Sequence, residues 1–500
     1  MRSPVPWTAT LALATVLLAG CDSAPETSTG GGRFGSLALE ACSTGEGAMR
    51  AEAMCGTLEV PEDRDAPDGR KIALNIAVLP ARNDSGLEPV FFLAGGPGQA
   101  ATTLAGHIGN ALRDVRRSRD VVLVDQRGTG RSNPLDCVDA SGEPMDTDLS
   151  QVTDADGIAR YAAACAQGLA GRADPRFYTT AEAIADLDAV REALGADTIN
   201  LVGGSYGTRV AQQYAMRYPD HVRTMVLDGV APNDLVVGGE FARTFEDALA
   251  LQAAQCNADA ACRARFPVDA PTRLREVIAQ LQAQPVEVEY RNATTGAIAR
   301  DTVTADTVTG LAFLFSYAPE TASLLPLMLE EASEGRYGAL LALTRMTGQQ
   351  FAGGMNRGMQ WSVLCAEDAP RWNADSGSAD GTILGAEVAR MFFAACPAWP
   401  HGAADPAQAQ PLESDIPTLL LSGELDPVTP PAYGERVAAG LANGRHLVLR
   451  GQGHGTLHLG CTPKLVAGFI EDADTASPDP ACLDSLEGVP PFTSFNGWDP

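Results

Sequence analysis

Lysine is nearly missing from this chain. Only Lys71 and Lys464 occur among its 36 Lys and Arg residues, which leaves little room for covalent catalysis through an amine. Basic charge is short as a whole: 36 cationic against 63 anionic side chains give a net charge of −27. No basic footprint exists for a phosphate backbone, so no nucleic-acid partner is expected. No CxxC pair occurs, which excludes zinc ribbons and thioredoxin-like redox chemistry. Histidine is scarce, with six residues, so any search for a general base is short. The longest apolar run, residues 7–19, is too short to cross a bilayer comfortably.

What the chain does have is a core. Hydrophobic residues make up 45% of 500 positions and charged ones 20%, as in a globular protein with one elaborated or several ordinary domains. Arg2, the run 7–19 and Leu18-Ala19-Gly20-Cys21 together resemble a bacterial lipoprotein signal. That resemblance implies cleavage after residue 20, acylation of Cys21 and export, with the membrane as a partner through the lipid. Residues 21–40 then read as a flexible Gly/Ser/Thr tether. Asp22 beside the cysteine resembles an inner-membrane retention signal.

Ten cysteines remain after Cys21, and they fall in neighbouring couples: Cys42/Cys55, Cys137/Cys165, Cys256/Cys262, Cys365/Cys396 and Cys461/Cys482. Spacing alone leaves connectivity open. Sequential pairing needs no threading of the chain, and five disulfides suit an oxidising compartment.

Strand-like segments recur along the body. Residues 71–79 alternate as a half-buried strand does. The runs 89–94 and 120–124 are apolar and stop at glycine turns, as strands of a covered parallel sheet do, and the pattern repeats at 198–202, 224–227 and 417–421, with a last strand at 445–449. Thr179 and Glu182 form a capping-box signature ahead of a helix that Gly195 stops. Alternating strands and helices give an α/β fold with a mainly parallel sheet. The rhythm breaks from 234 to 410, which reads as an inserted helical lid domain. The body therefore divides into a core at 41–233, the insert at 234–410, a second core part at 411–483 and a tail at 484–500.

Gly203-Gly204-Ser205-Tyr206-Gly207 lies where a strand ends and a helix begins. Small residues around the serine permit a sharp turn that lifts the hydroxyl clear of the sheet, the arrangement of a nucleophile elbow. A serine hydroxyl needs a base. His454, in the glycine-rich loop Gly451–Gly455 after the last strand, is the candidate. His458 lies four residues on, but no third ligand accompanies the two as a metal couple. The orienting acid is expected after the preceding strand, at Asp426, with Glu424 as the alternative. Oxyanion donors are expected from the Tyr206 N–H and, across Gly95-Gly96-Pro97-Gly98, from the Gly96 N–H.

These motifs, with Asp125-Gln126-Arg127-Gly128-Thr129-Gly130-Arg131-Ser132 and Gly423-Glu424-Leu425-Asp426-Pro427-Val428-Thr429-Pro430, resemble those of α/β-hydrolase serine peptidases of the prolyl-aminopeptidase and tripeptidyl-aminopeptidase group. The resemblance covers about residues 55–482. It implies an α/β-hydrolase fold and release of residues from peptides with a free N-terminus. Ala94 and Tyr206 stand where prolyl aminopeptidases usually carry histidine and tryptophan, which argues against strict proline specificity. Binding a terminal ammonium calls for acidic side chains, and Glu367 and Asp368 in the insert are the candidates for substrate contact. No cofactor and no metal are implied. Two other readings share these residues: an esterase or amidase acting on a small molecule, and an inactive binding lipoprotein.

Overall fold

Apolar runs and alternating runs build different halves of one sheet. The structure is a computed structural model that describes residues 32–497 except 48, 84, 140, 146–153, 294 and 375. The signal segment 1–20, Cys21 and Asp22 lie outside the described residues. Twelve strands occur among the described residues: β1 (Gly32–Phe34), β2 (Leu37–Thr44), β3 (Ala51–Pro61), β4 (Lys71–Leu79), β5 (Val90–Leu93), β6 (Val121–Val124), β7 (Ile199–Gly204), β8 (Val222–Asp228), β9 (Val286–Arg291), β10 (Ile298–Val303), β11 (Thr418–Gly423) and β12 (Gly444–Leu449). Ten form one sheet in the order β1-β2-β3-β4-β6-β5-β7-β8-β11-β12.

From β6 to β12 every neighbouring pair is parallel, while β1 to β4 and the β4–β6 pair are antiparallel. All four residues of β5 and of β6 are buried. Both faces are covered: Phe91, Val122, Leu201 and Leu227 join the core on one side, and Val90, Phe92, Val121, Val202 and Val226 that on the other. Such strands read as continuous hydrophobic runs because neither face meets water.

Residues 32–40 of the segment expected as a tether are part of the sheet and its turn. Leu37 and Leu39 are buried in β2, and Gly35, at φ 61°, turns β1 into β2 against the end of the helix Thr180–Leu194. Ser36 N donates to Ala193 O at 2.7 Å. Glycine-rich composition marked this stretch as flexible, but a tertiary contact orders its second half.

The insert runs between β8 and β11, which are neighbours in the sheet. It has a core of its own around Phe245, Leu274, Val277, Leu311, Phe315 and Leu341. It is not wholly helical, since β9 and β10 pair as an antiparallel hairpin. The exposure of β9 alternates along VEVEYR, so period-2 patterning outweighed the helical residues around it. The disulfides are Cys42–Cys55, Cys137–Cys165, Cys256–Cys262, Cys365–Cys396 and Cys461–Cys482. Among the described residues no helix is long and apolar enough to cross a membrane.

Candidate active site

Ser205 sits between β7 and the helix Tyr206–Arg217 with φ 54° and ψ −123°, a backbone state rarely adopted by a residue with a side chain. The glycines around it explain how the chain tolerates that turn. A Cβ on Gly203 would stand 2.5 Å from Gly207 O, and one on Gly207 would stand 2.1 Å from Leu93 O. Helix, strand and turn therefore approach as closely as backbones can. Ser205 N donates to Asp228 O at 2.9 Å, which fixes the turn to the end of β8. The Tyr206 N–H lies at the first turn of the helix, where amides have no intrahelical acceptor and the dipole favours negative charge.

The Gly95–Gly98 loop packs directly on this turn. A Cβ on Gly95 would lie 3.1 Å from Ser205 Cβ, and Gly96 and Gly98 have φ 116° and 109°. The insert reaches this loop: Asn356 N donates to Gly98 O at 2.8 Å, and Gln99 bridges Met355.

Asp426 follows β11 and is fully engaged. Its Oδ1 accepts from the N–H groups of Val428 at 2.9 Å and Thr429 at 2.8 Å, and its Oδ2 from Thr429 Oγ1 at 2.7 Å. That Oδ2 also meets His454 Nδ1 at 2.7 Å. Glu424, the alternative acid, instead accepts from Gly451 N at 2.7 Å and so anchors the start of the histidine loop. Burial alone would lower the basicity of His454, but the Asp426 charge and hydrogen bond outweigh it and raise the imidazole above its ordinary value. Burial opposes ionisation of Asp426 in turn, and the contact with His454 holds that carboxyl below the usual range. A hydrogen bond of this kind fixes Nδ1 as the protonated nitrogen of the neutral ring and leaves Nε2 free to accept a proton. The insert also supports the base: His454 N donates to Tyr317 O at 2.7 Å, and the Tyr317 ring stands edge-on to the imidazole at 5.4 Å.

Glu367 and Asp368, the candidates for substrate contact, are buried carboxylates engaged by protein donors. Both are buried in a helical turn, Leu364–Asp368, that points them inward. Asp368 pairs with Arg209 at 3.2 Å and with Arg371 at 2.9 Å. The Glu367 oxygens accept from Thr180 N at 2.7 Å and Thr180 Oγ1 at 2.8 Å. Glu367 thereby caps the helix Thr180–Leu194, and Thr179 makes no side-chain cap there. Glu182 faces Arg64 at 3.1 Å instead of closing a capping box. Thr180 Oγ1 continues to Tyr206 OH at 2.6 Å, and Gln126 Nε2 donates to that hydroxyl at 3.3 Å.

The motif at 125–132 proves to be a buried bolt. Arg127 donates to both oxygens of Asp186, at 2.6 and 2.7 Å, and to the carbonyls of Glu62 and Phe177, each at 2.8 Å. Asp125 accepts from Asn75 Nδ2, Thr102 N and Oγ1, and Arg131 N. Sequence reasoning missed Thr429, which touches both Asp426 Oδ2 and, at 3.0 Å, His454 Nδ1. It also missed Asp228 and Tyr317. For Asp228 a signal existed, a lone carboxylate after the apolar run Met225–Leu227, at the edge where functional side chains gather.

Residues 88–302 match the family described as alpha/beta hydrolase fold, and residues 382–482 the family described as TAP-like protein. The chain is similar to Serine protease Hip1 of Mycobacterium tuberculosis, 28% identical over 462 residues that cover 86% of this chain and 87% of the other. It is similar to Tripeptidyl aminopeptidase of Streptomyces lividans, 31% identical over 189 residues that cover 35% of each chain. A third similarity is to Proline iminopeptidase of Neisseria gonorrhoeae, 30% identical over 142 residues that cover 28% of this chain and 32% of the other.

Proposed function

Since this chain has the α/β-hydrolase fold and is a serine hydrolase, we propose that it is an exopeptidase that releases residues or short peptides from free N-termini, with Ser205, His454 and Asp426 as its triad. The observation that carries the triad is the 2.7 Å contact between Asp426 Oδ2 and His454 Nδ1. His454 Nε2 takes the Ser205 hydroxyl proton as Oγ attacks the scissile carbonyl. The developing oxyanion is held by the N–H groups of Tyr206 and Gly96. His454 then gives its proton to the leaving amine, and water, deprotonated by the same nitrogen, releases the acyl group.

Names of relatives favour the N-terminal mode, tripeptidyl aminopeptidase and proline iminopeptidase among them. The insert would act as a lid, because it touches both the Gly95–Gly98 loop and the histidine loop. Export with a lipid on Cys21 fits the Leu18–Cys21 signal, and five disulfides fit an oxidising compartment. Paired chromogenic tripeptides, one with a free amine and one N-acetylated, test the reading on the purified mature protein. Faster cleavage of the free-amine substrate is expected, and faster cleavage of the acetylated one overturns the exopeptidase assignment.

A further inference from the structure

Asp228 ends β8 as a buried carboxylate directly after the apolar run Met225–Leu227. A buried carboxylate persists only where donors compensate it, and the donors here have a common origin. Thr456 N donates to both oxygens, at 2.9 and 2.8 Å, Thr456 Oγ1 donates at 2.8 Å, and Leu457 N donates at 2.8 Å. All three groups belong to the two residues that follow His454-Gly455. The main-chain carbonyl of the same aspartate accepts from Ser205 N. The next residue, Gly229, has φ 67°, and a Cβ there would stand 3.1 Å from His454 Cε1, so β8 runs directly beneath the imidazole.

We propose that Asp228 is a positioning residue, which ties the Ser205 turn through its carbonyl and the His454 loop through its carboxylate to one strand end. The spacing between nucleophile and base is then set by a single rigid element and not by two loops. Asp426 orients the ring by its Nδ1 contact, and Glu424 and Tyr317 hold the loop at Gly451 N and His454 N. Four contacts from Thr456 and Leu457 fix the far side of the loop to the end of β8. Burial pushes the Asp228 carboxyl up and the Thr456 and Leu457 donors act against that, and an amide would turn an NH2 toward those donors. The negative charge also lies close enough to favour the protonated imidazole.

The inference rests on the triad reading, and the test separates the two. Thr456→Val, Thr456→Ser, Asp228→Asn and Ser205→Ala are compared in the mature protein by kcat and KM on a free-amine tripeptide substrate, and by the labelling rate of Ser205 with a fluorophosphonate. Each is assayed well below its own Tm. Thr456→Val removes one donor while keeping shape, and should lower kcat and the labelling rate together by about 10-fold with KM little changed. Thr456→Ser should restore most of both. Asp228→Asn should cost about 100-fold in kcat where it folds. A Thr456→Val protein with kcat within about twofold of the parent overturns the proposal even if Asp228→Asn does not fold. So does a change confined to KM. Hydrolysis that survives Ser205→Ala overturns the triad reading instead.

Discussion

Glu367→Gln makes the buried acid measurable. Burial pushes the Glu367 carboxyl up from 4.5 to about 7, against the nearby Arg209 charge and the Thr180 hydrogen bonds. A folded-state value above the unfolded one means that the native protein binds this proton more tightly. The resulting stability is fully present below pH 4.5 and is lost as pH rises through about 7. The difference of about 2.5 units corresponds to about 3 kcal/mol at most. Glutamine keeps the shape, accepts from Thr180 N through its carbonyl and can donate to Thr180 Oγ1, yet never ionises. The variant should therefore gain on the parent as pH rises from 5 to 8.5. With an unfolding entropy near ~1 kcal/mol/K for a chain of this length, the Tm gap should widen by about 3 °C. Scanning calorimetry of both proteins across that range reads it directly. A gap that stays constant with pH, or that moves against the variant, refutes the buried and protonatable placement. The same placement predicts that KM for a free-amine peptide and for a neutral ester shift alike. A selective rise for the peptide would put Glu367 in contact with the substrate amine after all.

Asp426→Asn should lower kcat by about 10⁴-fold with little effect on KM, since it leaves His454 in the wrong tautomer. Because Asp426 raises the His454 basicity, the acid limb of kcat/KM in the parent should lie above the ordinary imidazole value, and in the variant it should move down; an unmoved limb would detach Asp426 from the base. Gly207→Ala should lower both Tm and activity, because its Cβ would meet Leu93 O at 2.1 Å; unchanged kcat would show that the elbow can relax. Reduction of the five bridges should lower Tm, each contributing about 2–4 kcal/mol. Alkylation of the unreduced body should find none of the ten paired cysteines free.

Local chemistry made much of the core readable. Continuous apolar runs such as 90–93 and 121–124 mark strands buried on both faces, and the Gly203–Gly207 pattern marks a backbone approach that only glycine permits. Position after the strand left Asp426 and Glu424 both open as the acid, and the structure gives each a separate partner, His454 and Gly451 N. Less visible were features made by distant partners. Glu367 caps a helix that begins 187 positions earlier in the chain, so nothing around residue 367 announces it. Arg127 stood in the sequence only as part of a family-like motif, and the fold reveals Asp186 and two carbonyls around it. The 32–39 segment reads as linker by composition because its order comes from Ala193. The β9–β10 hairpin was legible in principle, since VEVEYR alternates, but its Ala- and Leu-rich flanks favoured helix.

The most direct test of a Ser205-centred acyl-transfer site is the adduct map. The mature protein is treated with a fluorophosphonate, digested and sequenced by mass spectrometry, beside Ser205→Ala and Asp426→Asn. The account predicts one adduct, on Ser205, in step with loss of hydrolysis. It predicts no adduct in Ser205→Ala and strongly slowed labelling in Asp426→Asn. An adduct on another residue, or hydrolysis that persists while Ser205 is fully labelled, would contradict it.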